Sequence, residues 1–162
     1  MKTFLISSII LTTIMAFGGP GVGLDDCQSV ESLTGWLVSA NEGNSWIESL
    51  DPGLCMKVSS DDSTDSGQLD IEISRVVPQG ISSVSFDWSY SSEDESPFFD
   101  PFLFSSSING EVVVSDNNGA NDQSGSFSSP VAPGETIGLI VRTTDDIFGS
   151  AEVNVTNFFF CP

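Results

Sequence analysis

The most constraining feature of this chain is a period of two. From Ser83 to Tyr90, SVSFDWSY, apolar and polar residues alternate strictly. Val84, Phe86, Trp88 and Tyr90 fall on one side, and Ser85, Asp87 and Ser89 on the other. Successive strand side chains point to opposite faces, whereas a helix repeats every 3.6 residues, so this stretch specifies a half-buried strand with its rings in the core. The pattern recurs from Gln68 to Val77, with Leu69, Ile71 and Ile73 inward, and from Thr136 to Thr144, with Ile137, Leu139 and Val141 inward. From Ala151 to Phe160 it places Ala151, Val153 and Val155 on one face. The phase then slips at Asn157-Phe158, which predicts a bulge.

Shorter strand-like segments fill the remainder: Ser32 to Ser39, Ser45 to Leu50, Leu54 to Ser60, Phe102 to Ile108, Glu111 to Ser115 and Ser124 to Ser129. Turn residues separate them. Asp51-Pro52-Gly53 carries Pro at a first corner, and Asn109-Gly110 is a strong hairpin signal. No segment sustains a helical period. About ten strands at a spacing of about 8–12 residues predict an all-β fold, a two-sheet antiparallel β-sandwich.

The N-terminus reads as a signal peptide over residues 1–23. A short basic start, Met1-Lys2, precedes the uncharged apolar run Phe4 to Phe17, then small residues up to Gly23. The apolar run is shorter than the roughly 20 residues of a membrane span, so no membrane insertion of the mature chain is expected. Residues 24–162 are then one β-sandwich domain of a secreted protein, extracellular or at the cell surface.

The formal net charge is −19, with 23 acidic residues against four basic ones. A phosphate backbone or an anionic membrane would be repelled, which excludes nucleic acid as a partner. The plainer reading of the charge is solubility; the sharper one is divalent cation binding, because Ca²⁺ takes carboxylate and carbonyl oxygens. Three cysteines, Cys27, Cys55 and Cys161, lie past the signal. A disulfide between Cys27 and Cys161 would join the two ends of the domain, with Cys27–Cys55 as the alternative; either leaves one thiol over.

The chain has no histidine. That removes the Ser-His-Asp and Cys-His arrangements, His-ligated zinc and the usual acid–base residue near neutrality. No glycine-rich phosphate loop is present, and no carboxylate pair sits in a recognisable active-site stretch, so no enzymatic activity is expected. Binding candidates gather where the aromatic strand breaks. Trp46, Phe98 and Phe99 sit at loop edges beside Asp100, as an exposed ligand platform or, for the two phenylalanines, as a plug over one end of the sandwich. Asp94, Glu95 and Asp100, with Asp145 and Asp146 from another loop, are candidate calcium ligands if the loops meet. The segment Asp116 to Asp122 has the wrong spacing for an EF-hand and reads as a solvated turn. Asn154-Val155-Thr156 is a glycosylation sequon on the outward face of the last strand.

The series SFDWSY (85–90), FDPF (99–102), Asn109-Gly110, QSGSFS (123–128) and PGETIGLIVRTTDDIFGSAEVNVTNF (133–158) resembles a β-sandwich module of secreted surface and adhesin-type proteins. Those modules are similar to jelly-roll carbohydrate-binding and MAM-like domains. The likeness spans Gln68 to Phe158. It implies a jelly-roll-like fold and a non-catalytic role: adhesion through contact with other extracellular proteins, self-assembly included, or alternatively carbohydrate binding that calcium could assist.

Overall fold

The computed structural model describes residues 27–30, 33–40, 46–50, 53–59, 68–144 and 149–162. Residues 1–23, where a signal peptide is expected, and Asp145 and Asp146 lie outside these residues. Among the described residues there is no helix, and eleven strands form two sheets. They are β1 (Gln28–Ser29), β2 (Leu37–Ala40), β3 (Trp46–Leu50), β4 (Gly53–Ser59), β5 (Leu69–Val76), β6 (Ser83–Ser92), β7 (Phe102–Ser106), β8 (Gly110–Val113), β9 (Asp122–Pro130), β10 (Thr136–Thr143) and β11 (Ser150–Cys161). One sheet runs β3-β4-β11-β6-β9, with β1 also on β11, and the other runs β2-β5-β10-β7-β8; every pairing is antiparallel. The expected two-sheet sandwich is what the chain forms.

Small differences from the sequence expectation have local causes. The expected strand over Ser32 to Ser39 is not formed between Leu33 and Trp36. A turn closes there, with the Trp36 N–H donating to the Leu33 carbonyl at 3.0 Å, and strand geometry begins only at Leu37. This turn drops the Trp36 ring into the core, edge-on to Phe158 at 5.4 Å. The β7–β8 hairpin forms at Asn109-Gly110, but Ser106 already pairs with Gly110, so the strand before it ends two residues early. Gly110 adopts φ +79°, a conformation that glycine enters without a Cβ clash.

The core lies between the sheets and is centred on Phe86. Its ring meets Phe127 at 5.1 Å and Phe158 at 5.5 Å, with Phe102 and Phe104 at 6.2 and 6.5 Å. Ile71, Ile73, Leu139 and Val141 of the opposite sheet complete the packing. Trp88 shares the inward face of β6 but stays half-buried at the sheet margin. It lies over Gly125 of the edge strand β9, where an added Cβ would come within 3.2 Å of the ring.

The predicted bulge is present and sets the phase of β11, which runs through the first sheet between β4 and β6. Thr156 pairs with Asp87 and Phe159 with Ser85, so Asn157 and Phe158 together oppose Phe86 alone. Asn157 takes φ +50°, the one described non-glycine residue in the left-handed region. Without this extra residue Phe158 and Phe160 would point to solvent; with it both are buried, and Asn157 and Phe159 face outward. The disulfide follows from the same strand. Gln28 pairs with Phe160, which brings Cys27 to Cys161 with their Cα atoms 4.2 Å apart.

Two stability outcomes follow. Asn157→Gly should stay within about 1 kcal/mol of the parent, because relief of the left-handed strain offsets the lost side-chain bond. Asn157→Val should cost about 2 kcal/mol or more, since a β-branched residue resists that φ. Replacing both Cys27 and Cys161 by Ser reopens a loop of 134 residues. Chain-entropy arguments put that loss at about 4 to 5 kcal/mol. Urea midpoints measure both outcomes.

Candidate ligand-binding site

The acidic corner that follows β6 is tied down from within. The Tyr90 hydroxyl donates to the Asp100 carbonyl at 2.9 Å, and the Ser92 hydroxyl donates to Asp100 Oδ2 at 2.8 Å. The Asp94 N–H donates to Ser92 Oγ at 3.0 Å, and Asn121 Nδ2 donates to the Asp94 carbonyl at 2.5 Å. Burial, with the Asp100 and Asp94 charges as lesser causes, raises the Tyr90 phenol well above its usual range and keeps it a neutral donor. Gly149 closes the far side, where an added Cβ would sit 2.8 Å from the Asp94 nitrogen. Asp94 and Asp100 are both buried, at 4% and 2% exposure; Asp100 joins the latch through its carboxylate and carbonyl, and Asp94 through its backbone.

The other residues singled out in the sequence scatter around this corner. Glu95 is exposed, and its N–H donates to Asp94 Oδ1. Phe98 is 57% exposed and stands edge-on to the half-buried Phe99 at 5.4 Å. Thr144 donates both its N–H and its hydroxyl to the Phe99 carbonyl, which pins the base of that pair. Trp46 opens β3 opposite Lys57, and its side chain is outside what is described, as are Asp145 and Asp146. Asn154 lies mid-strand between β4 and β6, half-buried, with its amide donating to Glu152. Among the described residues no three acidic, cysteine or histidine side chains come together as a metal site. The loop from Asp116 is a turn: the Gly119 N–H donates to the Asp116 carbonyl, and Gln123 bridges the loop from inside.

A second location has the character of a site. On the outer face of the first sheet a groove of about 270 Å³ is lined by Ser85, Asp87, Ser126, Ser128, Asn157 and Phe159, with Phe86 and Phe127 beneath. The Asp87 carboxylate accepts from Ser126 Oγ at 2.6 Å and from Asn157 Nδ2 at 2.8 Å. These two bonds, that of Asn157 first, hold its pKa below the ordinary 3.8, so it is ionised at neutrality. Strand β6 supplies the carboxylate because alternation turns Asp87 outward. Strand β11 supplies the amide because the bulge swings Asn157 out over its neighbour. The half-buried Phe159 follows on the same face. Sequence reasoning reached the bulge and the outward face of Asp87 separately. It missed their meeting, which depends on which strands pair.

The described basic side chains are committed elsewhere. On the other sheet Arg142 forms bidentate pairs with Asp70, at 2.8 and 3.0 Å, and with Glu111, at 2.9 and 3.0 Å, and these bonds raise its pKa further. The Arg75 guanidinium lies 5.4 Å from the centre of the Phe160 ring.

No protein-family model matches the chain, and no curated protein matches it. Several solved structures are similar to it. The carbohydrate-binding module TmCBM61, in complex with β-1,4-galactotriose, shares 13% identity over 87% of this chain and 95% of its own, with a TM-score of 0.46. A family 11 carbohydrate-binding module from Clostridium thermocellum, in complex with a β-1,3-1,4-mixed-linked tetrasaccharide, shares 18% identity over 83% of this chain and 94% of its own, with a TM-score of 0.43. The N-terminal cellulose-binding domain of β-1,4-glucanase C from Cellulomonas fimi shares 11% identity over 88% of this chain and 95% of its own, with a TM-score of 0.42.

Proposed function

We propose that this protein is a secreted, non-catalytic glycan-binding β-sandwich, and that the groove around Asp87 and Asn157 holds the sugar. The observation that carries this reading is the strained backbone at Asn157, which keeps an amide against an ionised carboxylate while Phe159 stands beside them. Left-handed strain in a non-glycine residue concentrates where geometry serves function, and bulges re-aim side chains at such places. A carboxylate, an amide and serine hydroxyls offer the paired donors and acceptors that ring hydroxyls need, and an aromatic face suits the apolar side of a pyranose. The Cys27–Cys161 disulfide fits an oxidising compartment, which supports export through the segment 1–23.

A second reading is contact with another extracellular protein. It rests on Leu37 and Val38, which are 73% and 56% exposed on the edge strand β2 of the second sheet, and on Val76, 57% exposed at the end of the neighbouring β5. Leu37→Asp would abolish a contact made there and leave glycan binding intact.

Calorimetry against a panel of soluble oligosaccharides, with circular dichroism to establish folding, tests the groove. Asp87→Ala and Phe159→Ala should each weaken binding about tenfold or more, and Phe98→Ala should leave it unchanged. The sign of the pH dependence follows from Asp87. Its lowered pKa keeps it charged, so affinity holds from neutrality into the acid range and is lost as the pH falls through that lowered value. Binding that survives Asp87→Ala but fails in Phe98→Ala would move the site to the corner, and no binding to any glycan would end the proposal.

A further inference from the structure

Building on the glycan reading, we infer that the groove selects a cationic amino sugar over neutral and anionic sugars. The argument is charge complementarity at one atom group. The Asp87 carboxylate takes one hydrogen bond on each oxygen, from Ser126 on Oδ1 and from Asn157 on Oδ2, and both donors are neutral. A carboxylate has about four lone-pair sites, so acceptor capacity remains on both oxygens. Among the described side chains no cation completes it, since Arg142 is clamped between Asp70 and Glu111 and Arg75 rests on Phe160.

The surroundings suit an ammonium group. It carries three donors and no acceptor, and it needs oxygen atoms on several sides. Because Asn157 turns its Nδ2 to the acceptor-only carboxylate, its Oδ1 is left as an acceptor. Ser85 and Ser128 add hydroxyl oxygens in the same groove. The net charge of −19 raises the local concentration of cations and repels uronates and sulfated sugars. A second groove on the opposite sheet, about 290 Å³, also holds carboxylates: Glu111 is paired with Arg142, and Glu72 accepts from the Ser105 hydroxyl at 3.4 Å.

The experiment compares a β-1,4 glucosamine tetramer with its fully N-acetylated counterpart, by calorimetry on the whole secreted protein. At low ionic strength the glucosamine tetramer should bind at least about tenfold more tightly. The gap should narrow as salt is added, because exposed charges are screened within about 10 Å at 0.1 M. Asp87→Asn should remove the preference while weaker binding of both tetramers remains. A preference unchanged in Asp87→Asn would mean general attraction to an acidic surface, and it would overturn the inference. Equal or stronger binding of the acetylated tetramer would overturn it too, yet leave the glycan reading standing. If neither tetramer nor any other sugar binds, the glycan reading itself falls.

Discussion

The structure depends on one backbone position, Asn157, where the longest strand gains a residue. Strand β11 touches β1, β4 and β6, so its phase is shared by most of the first sheet. Because side chains alternate with period two, one inserted residue exchanges the faces of everything beyond it. Ahead of the bulge Val153 and Val155 fill the core; beyond it Phe158 and Phe160 do. The stack of Phe158 on Phe86 and the edge contact of Trp36 with Phe158 exist only in that phase, as does the approach of Cys161 to Cys27. A left-handed Asn costs of order 1 kcal/mol, and each buried phenylalanine it positions contributes roughly 2 to 3 kcal/mol, so the trade favours the bulge.

The acidic character of the chain divides into carboxylates the fold consumes and carboxylates it leaves to solvent. Asp94 and Asp100 are drawn into the latch at the end of β6, where a buried tyrosine and serine donate to Asp100 and the Asp94 N–H donates to that serine. Glu135 is consumed in the same way. It accepts from the Ser106 hydroxyl and the Ala132 N–H, and so cross-links the turn before β10 to the end of β7. Asp70 and Glu111 share one arginine across the second sheet. Asp87 differs from these. It is ionised on the open face, it is oriented by neutral donors, and a groove lies beside it. Orientation without neutralisation is the property expected of a group that meets a ligand.

Much of this was legible in the residues. Alternation identified β5, β6, β10 and β11 and put Ile71, Phe86, Leu139 and Val153 in the core, because a strand with one wet face has no other way to bury its apolar side. The phase slip at Asn157-Phe158 announced the bulge, and the position of Cys27 and Cys161 at the two ends favoured their disulfide. The corner was harder to read. Acidic residues beside phenylalanines look alike whether they face solvent or a buried tyrosine hydroxyl, and only the return of the Asn121 and Ser150 segments decides between the two.

The sequence alone determined the class of fold, the faces of its long strands, the sign of its charge and the absence of histidine chemistry, because these follow from local period and composition. Tertiary structure alone decided which side chains surround Asp87. Asp87 and Asn157 are 70 residues apart and Ser126 lies on a third strand. Their meeting depends on strand order and register, which arise from long-range pairing and leave no mark in any one segment.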